Sequence, residues 1–230
     1  LNLQNEPGIS GKHGFLARDD DGRLYIKDDD LAKALESDEK LLRGGHTPNW
    51  VAQIFLKDER VSAKKVRQKR SRNVVACSFA MNIAIKRAFG SINNAHVVER
   101  ENAPQCVGTN MYSAEYDKMI KYLAEVGMDG AFDGDWHKFE AIMKKSIHNC
   151  VRRIFFAPFD VNDGWHNYRV ATWAAIETTR ILVGAYLIKQ IYMNPSGQGA
   201  TITFNDKGER VLKCYKYLKL ALKYEPAKAN

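Results

Sequence analysis

The chain has no CxxC pair and no histidine pair at metal-binding spacing, and its four cysteines (Cys77, Cys106, Cys150 and Cys214) lie far apart. That argues against a zinc site and gives no ground for a disulfide framework; a reducing compartment fits. No apolar run approaches the ~20 residues that span a bilayer. The most apolar stretch, residues 171–193, is interrupted by Glu177, Arg180 and Lys189. The start, Leu1-Asn2-Leu3-Gln4, has no initiator Met and no basic-then-apolar order of a secretory signal, so an excised or processed piece is expected. Internal repeats and low-complexity linkers are also missing.

What is present is an ordinary apolar share of 45% over 230 residues, enough for one large domain or two small ones. A net charge of +8 and a pI of about 9.2 suggest a polyanionic partner, nucleic acid or nucleotide phosphate. Helical spacing is read over residues 28–42, 79–89, 113–125 and 141–155, with a long helix over 171–193 ending at Asn194-Pro195. Short strands are read over residues 23–26, 50–56 and 74–76, and a turn over 160–164. Helix with a few short strands predicts an α+β class.

Three segments stand out chemically. In residues 57–72, from Lys57-Asp58-Glu59 to Arg70-Ser71-Arg72, eight of sixteen residues are Lys or Arg. Composition alone leaves a solvated face, a nuclear-localisation patch or a phosphate-binding run equally open. In residues 129–140, Asp129, Asp133, Asp135 and Glu140 crowd a glycine-rich stretch, which reads as an acidic turn; the spacing does not fit a calcium-binding EF-hand. In residues 194–205, Ser196-Gly197 precedes Thr201 and Asn205, which are one helical turn apart and share a face. Read alone, that is a turn opening a helix.

Together, and in this order, the three segments resemble motifs F, A and B of picornavirus-like RNA-dependent RNA polymerases. Lys57-Asp58-Glu59, Lys65-Val66 and Arg70-Ser71-Arg72 fall in register with motif F, with Arg70 where the family has Lys. Gly134-Asp135-Trp136 followed by Phe139-Glu140 is similar to motif A, with Glu140 where the family has Asp. Ser196-Gly197, Thr201 and Asn205 resemble motif B, and the likeness runs from about Gly11 to Asn205.

The resemblance implies a cupped right hand: fingers over residues 1–95 (motif F at 57–76), palm over 96–170 with motif A at 129–140, a fingers/palm helix over 171–193, and palm motif B at 194–205. Residues 206–230 match nothing in the family; Asp206-Lys207-Gly208 is read as breaking the helix, with an amphipathic, lysine-rich helix resuming over 209–224. The thumb is expected to be missing or reduced. The implied activity is two-metal transfer of a nucleotide to an RNA 3′-hydroxyl, with Asp135 as a ligand of Mg2+ or Mn2+. Lys57, Lys65, Arg70 and Arg72 would bind the triphosphate, with Glu59 as an ion pair supporting them. Glu140, Ser196, Gly197, Thr201 and Asn205 would surround the nucleotide and its ribose.

Motif C, a Gly-Asp-Asp, does not occur in these residues, so these 230 residues alone are expected to be inactive. The alternative function is a non-catalytic RNA- or nucleotide-binding remnant; a reverse transcriptase ranks below both. Implied partners are RNA template and primer, nucleoside triphosphates and other viral replication proteins, at replication complexes in the host cytoplasm.

Overall fold

The computed structural model describes residues 16–68, 72–99, 106–127, 136, 139 and 143–224. The chain divides into two compact units, Leu1–Ala88 with Phe159–Gly199, and Phe89–Pro158 with Ala200–Asn230. Helices and short strands mix in the α+β manner. Among the described residues no helix is long and apolar enough to cross a membrane.

In the first unit, β1 (Leu16–Arg18) and β2 (Leu24–Ile26) form a hairpin ahead of α1 (Asp29–Arg43). Asp28 caps α1 by accepting from the Leu31 backbone N–H at 2.8 Å. Asp29 and Asp30 sit in its positive first turn, Lys40 and Arg43 in its negative last one. Leu31, Leu35 and Leu42 recur on one face and are buried. Leu31 and Leu35 meet Ala80, with Ile26, Trp50, Phe79 and Ile83 packed around them.

Beside this core lies a four-stranded sheet in the order β4-β3-β5-β6. β3 (Val51–Leu56) pairs antiparallel with β4 (Asn73–Ala76) and parallel with β5 (Arg180–Val183). β5 turns back into β6 (Tyr186–Lys189) through Gly184 at φ 59°, a left-handed conformation that glycine adopts without strain. A short helix, α2 (Ala63–Arg67), lies between β3 and β4, and α3 (Phe79–Val98) follows β4.

The long helix expected over 171–193 is not there. Helix α6 (His166–Glu177) stops, and the remainder forms β5 and β6. The Thr178 hydroxyl donates back to the Ala174 carbonyl at 2.7 Å, and that of Thr179 to Ala175 at 3.2 Å, at the point where the helix ends. Ile181 then enters the sheet interior beside β3. An apolar run of this kind reads equally as buried helix or buried strand; pairing with a partner 120-odd residues away decides it.

The second unit combines α3 from Phe89 onward, α4 (Ala114–Val126), α5 (Lys145–Phe156) and α7 (Thr201–Tyr224). Phe89 meets Phe155 edge-to-face at 5.5 Å, and Phe204 lies 4.8 Å from the His148 ring. The break expected at Asp206-Lys207-Gly208 is also absent, because α7 runs unbroken through it. Gly208 is buried against Met143, and a Cβ there would come within 2.5 Å of the Met143 methyl. Asp206 with Arg210 (3.0 Å) and Glu209 with Lys213 (2.8 Å) support the same turns. This packing offsets the ~1 kcal/mol that glycine costs inside a helix.

Candidate functional site

β3 and β4 pair up to Leu56 and Asn73, and the ladder continues one step further, where the Lys57 N–H donates to the Arg72 carbonyl at 2.8 Å. Lys57 and Arg72 therefore stand side by side at the open end of the ribbon. The Glu59 carboxylate lies between them, 3.2 Å from Lys57 Nζ and 3.5 Å from Arg72 Nη1. Its side chain is 22% exposed, against 43% for Lys57 and 70% for Arg72. Exposed ion pairs of this kind add only ~0–1 kcal/mol, so the effect of Glu59 is positional. It holds two mutually repelling cations near one point while leaving both accessible.

Lys65 belongs to α2, whose first turn Ser62 caps, and it is exposed. Among the described residues no ion pair is made by Lys65. Lys64 and Arg67 share that short helix, so its surface is cationic. Arg70 lies outside the described residues, as do Asp135 and Glu140.

The Ser196-Gly197 loop belongs to the same unit and lies along β4. Ser196 Oγ accepts from the Val75 N–H at 3.1 Å, and Gly197 bridges to Ala76. A Cβ on Gly197 would come 2.3 Å from the Val75 carbonyl oxygen, so only glycine allows this approach. The strand that carries Arg72 at its start thus carries the Ser-Gly loop at its end.

Asn194 and Gln198 brace this loop; the Gln198 amide donates to Asn194 Oδ1 at 2.6 Å, and both side chains are buried. Just before it, Tyr192 takes φ 54°, uncommon for a residue with a side chain, and its N–H donates to the Glu177 carbonyl at 2.8 Å. Asn194, Gln198 and Val75 were missed from sequence. The only available signal was the spacing of Asn194 and Gln198 on either side of Ser-Gly.

Thr201 and Asn205 open α7 in the second unit, both partly exposed and one turn apart. Trp136, the residue after Asp135, is also described there. Its indole N–H donates to Glu209 Oε1 at 3.3 Å. Hydrogen bonds from Lys213 chiefly, and from Trp136, hold the Glu209 carboxyl below the usual carboxylate range. Among the described residues no three His, Cys, Asp or Glu side chains gather as metal ligands would. The described residues alone therefore do not make a metal cage.

A family model described as viral RNA-dependent RNA polymerase matches residues 7–206. The RNA1 polyprotein of Tomato black ring virus is 24% identical over 93% of this chain, which covers 10% of that polyprotein. The genome polyprotein of Rice tungro spherical virus is 26% identical over 80% of the chain and 5% of its own length. For the replicase polyprotein of Acute bee paralysis virus the identity is 27%, over 86% of the chain and 10% of the polyprotein. The chain thus spans a tenth or less of these relatives. Among solved structures, the sicinivirus 3Dpol RNA-dependent RNA polymerase shares the fold at a TM-score of 0.62 and 16% identity. That match covers 84% of this chain and 39% of the polymerase.

Proposed function

Because the chain belongs to the viral RNA-dependent RNA polymerase family, we propose that it forms the nucleotide-receiving part of such an enzyme, the fingers with the beginning of the palm. In this reading Lys57 and Arg72, with Lys65 and Arg70 from the same loop, meet the triphosphate of the incoming nucleotide. Their charges offset the phosphate oxygens and stay on the departing pyrophosphate, which lowers the barrier to its release. Lys57 and Arg72 held at one point by Glu59, on the strand against which Ser196-Gly197 lies, is the observation that carries the proposal.

Ser196 and Gly197 would then line the entry of the nucleotide, with Thr201, Asn205 and Glu140 reading its ribose. Polymerases of this family generally use divalent metal ions, and Asp135 is the residue assigned to Mg2+ or Mn2+, which would supply activation of the attacking hydroxyl. RNA template and primer and nucleoside triphosphates are the proposed substrates. The polyprotein setting of the relatives supports other viral replication proteins as partners, at replication complexes in the host cytoplasm.

The test is a nucleotide titration of Arg72→Ala beside Lys219→Ala, a lysine on the far part of α7. Arg72→Ala is expected to weaken triphosphate binding by roughly tenfold, the loss of one charged hydrogen bond, and Lys219→Ala to leave it unchanged. Equal effects would reduce the basic segment to a solvated charge run.

A further inference from the structure

Helix α7 touches the acidic segment at two places in the second unit. The first is Trp136: its indole donates to Glu209, and Lys216 Nζ lies 4.5 Å above the centre of its ring. Lys213, 2.8 Å from Glu209, orients that carboxylate from the next turn. The second is Met143, buried against Gly208, where the absence of a Cβ leaves room for its methyl. Phe139 lies 6.0 Å from Trp136 in the same segment. Glu209 and Gly208 are successive residues, so one turn of α7 holds both ends of the stretch from Trp136 to Met143.

We propose that Glu209 and Lys216 are positioning residues: by holding Trp136 they set where the acidic segment places Asp135. Adjacent Cα atoms are ~3.8 Å apart across a trans peptide, so fixing Trp136 confines its neighbour. This gives the lysine-rich continuation of α7, which matched nothing in the sequence resemblance, a role in the reaction without contact with substrate. The inference rests on the reading of Asp135 given above.

The experiment uses the full polymerase carrying this chain, with single-turnover nucleotide incorporation and the NMR resonance of the Trp136 indole N–H, assigned by its loss in Trp136→Phe. Glu209→Ala is expected to shift that resonance and to lower the maximal incorporation rate roughly tenfold, short of the ~100-fold that a 1 Å misplacement costs. The apparent nucleotide affinity, carried by the separate basic segment, should stay within about twofold. Glu209→Gln, whose amide oxygen still accepts from the indole, should recover most of the rate. The double variant Trp136→Phe, Glu209→Ala should be no slower than the slower single one, as two ends of one contact require.

An unchanged rate in Glu209→Ala, or rate and affinity falling together, overturns the proposal. So does an additive double variant. Asp135→Asn separates this from the broader reading: if incorporation survives that change, the assignment of Asp135 fails whatever the indole resonance does.

Discussion

Gly197, in the first unit, and Gly208, in the second, both lie where a Cβ would collide with a neighbour, but the neighbours differ in kind. At Gly197 the obstacle is the Val75 carbonyl oxygen at 2.3 Å, with Ala76 Cα at 3.1 Å. Both are backbone atoms of a paired strand and cannot move alone. At Gly208 the obstacle is the Met143 methyl at 2.5 Å and its sulfur at 2.8 Å, the far end of a flexible side chain. A backbone-on-backbone contact fixes a loop in one place; a backbone-on-methionine contact can be renegotiated by a rotamer. The Ser-Gly loop therefore depends on its glycine far more than the α7 helix does.

The largest expected effect follows from that contrast. Gly197→Ala should force the loop off β4 and destabilise the chain by roughly 2 kcal/mol, with a matching loss of nucleotide affinity. Chemical denaturation and a binding titration on the same variant check it; a stable variant that binds normally would make the two glycines equivalent. Ser196→Ala keeps the close approach and removes one hydrogen bond to the Val75 N–H, a loss of about 1 kcal/mol. If it equals Gly197→Ala in denaturation, the hydrogen bond and not the close approach holds the loop.

The α7 side has a pH signature of its own. His96 is buried beside Lys207, 3.4 Å from its Nδ1, with Asp206 4.0 Å from its Nε2 and Arg210 near. Burial, and then Lys207, hold its pKa below the usual 6.5, with Asp206 acting in the opposite direction. The unfolded chain thus takes up the proton first as pH falls. Stability present above about 6.5 should decline between that value and the lower folded one. Thermal melts from pH 7.5 downward should show this slope in the parent and a flatter one in His96→Gln; an unaltered slope would place the proton elsewhere. The smallest effect is expected for Gly208→Ala. The ~1 kcal/mol gained in helix propensity should nearly cancel the displacement of Met143, leaving denaturation almost unmoved.

Much of the candidate site was legible in sequence because its signals are local. The cations of residues 57–72 cannot be buried, so they must face solvent or an anion. Helix α1 was readable to within a residue at either end because Asp28 caps it and its leucines repeat on one face. The juxtaposition of the pieces was not legible. Nothing near Ser196 specifies that its hydroxyl will meet the N–H of Val75, and nothing in Glu209 marks it as the acceptor for Trp136.

What the sequence by itself determined are the charge, the caps, the amphipathic faces and the order of the three segments, all properties of neighbours along the chain. Only the tertiary structure decided that residues 180–189 are strands and that α7 continues through Gly208. It also decided that Glu59 stands between Lys57 and Arg72. The reason is common to all three. An apolar run, a helical glycine and a lone carboxylate each have several local conformations of similar free energy. Contacts with partners distant in sequence, made only on folding, select among them.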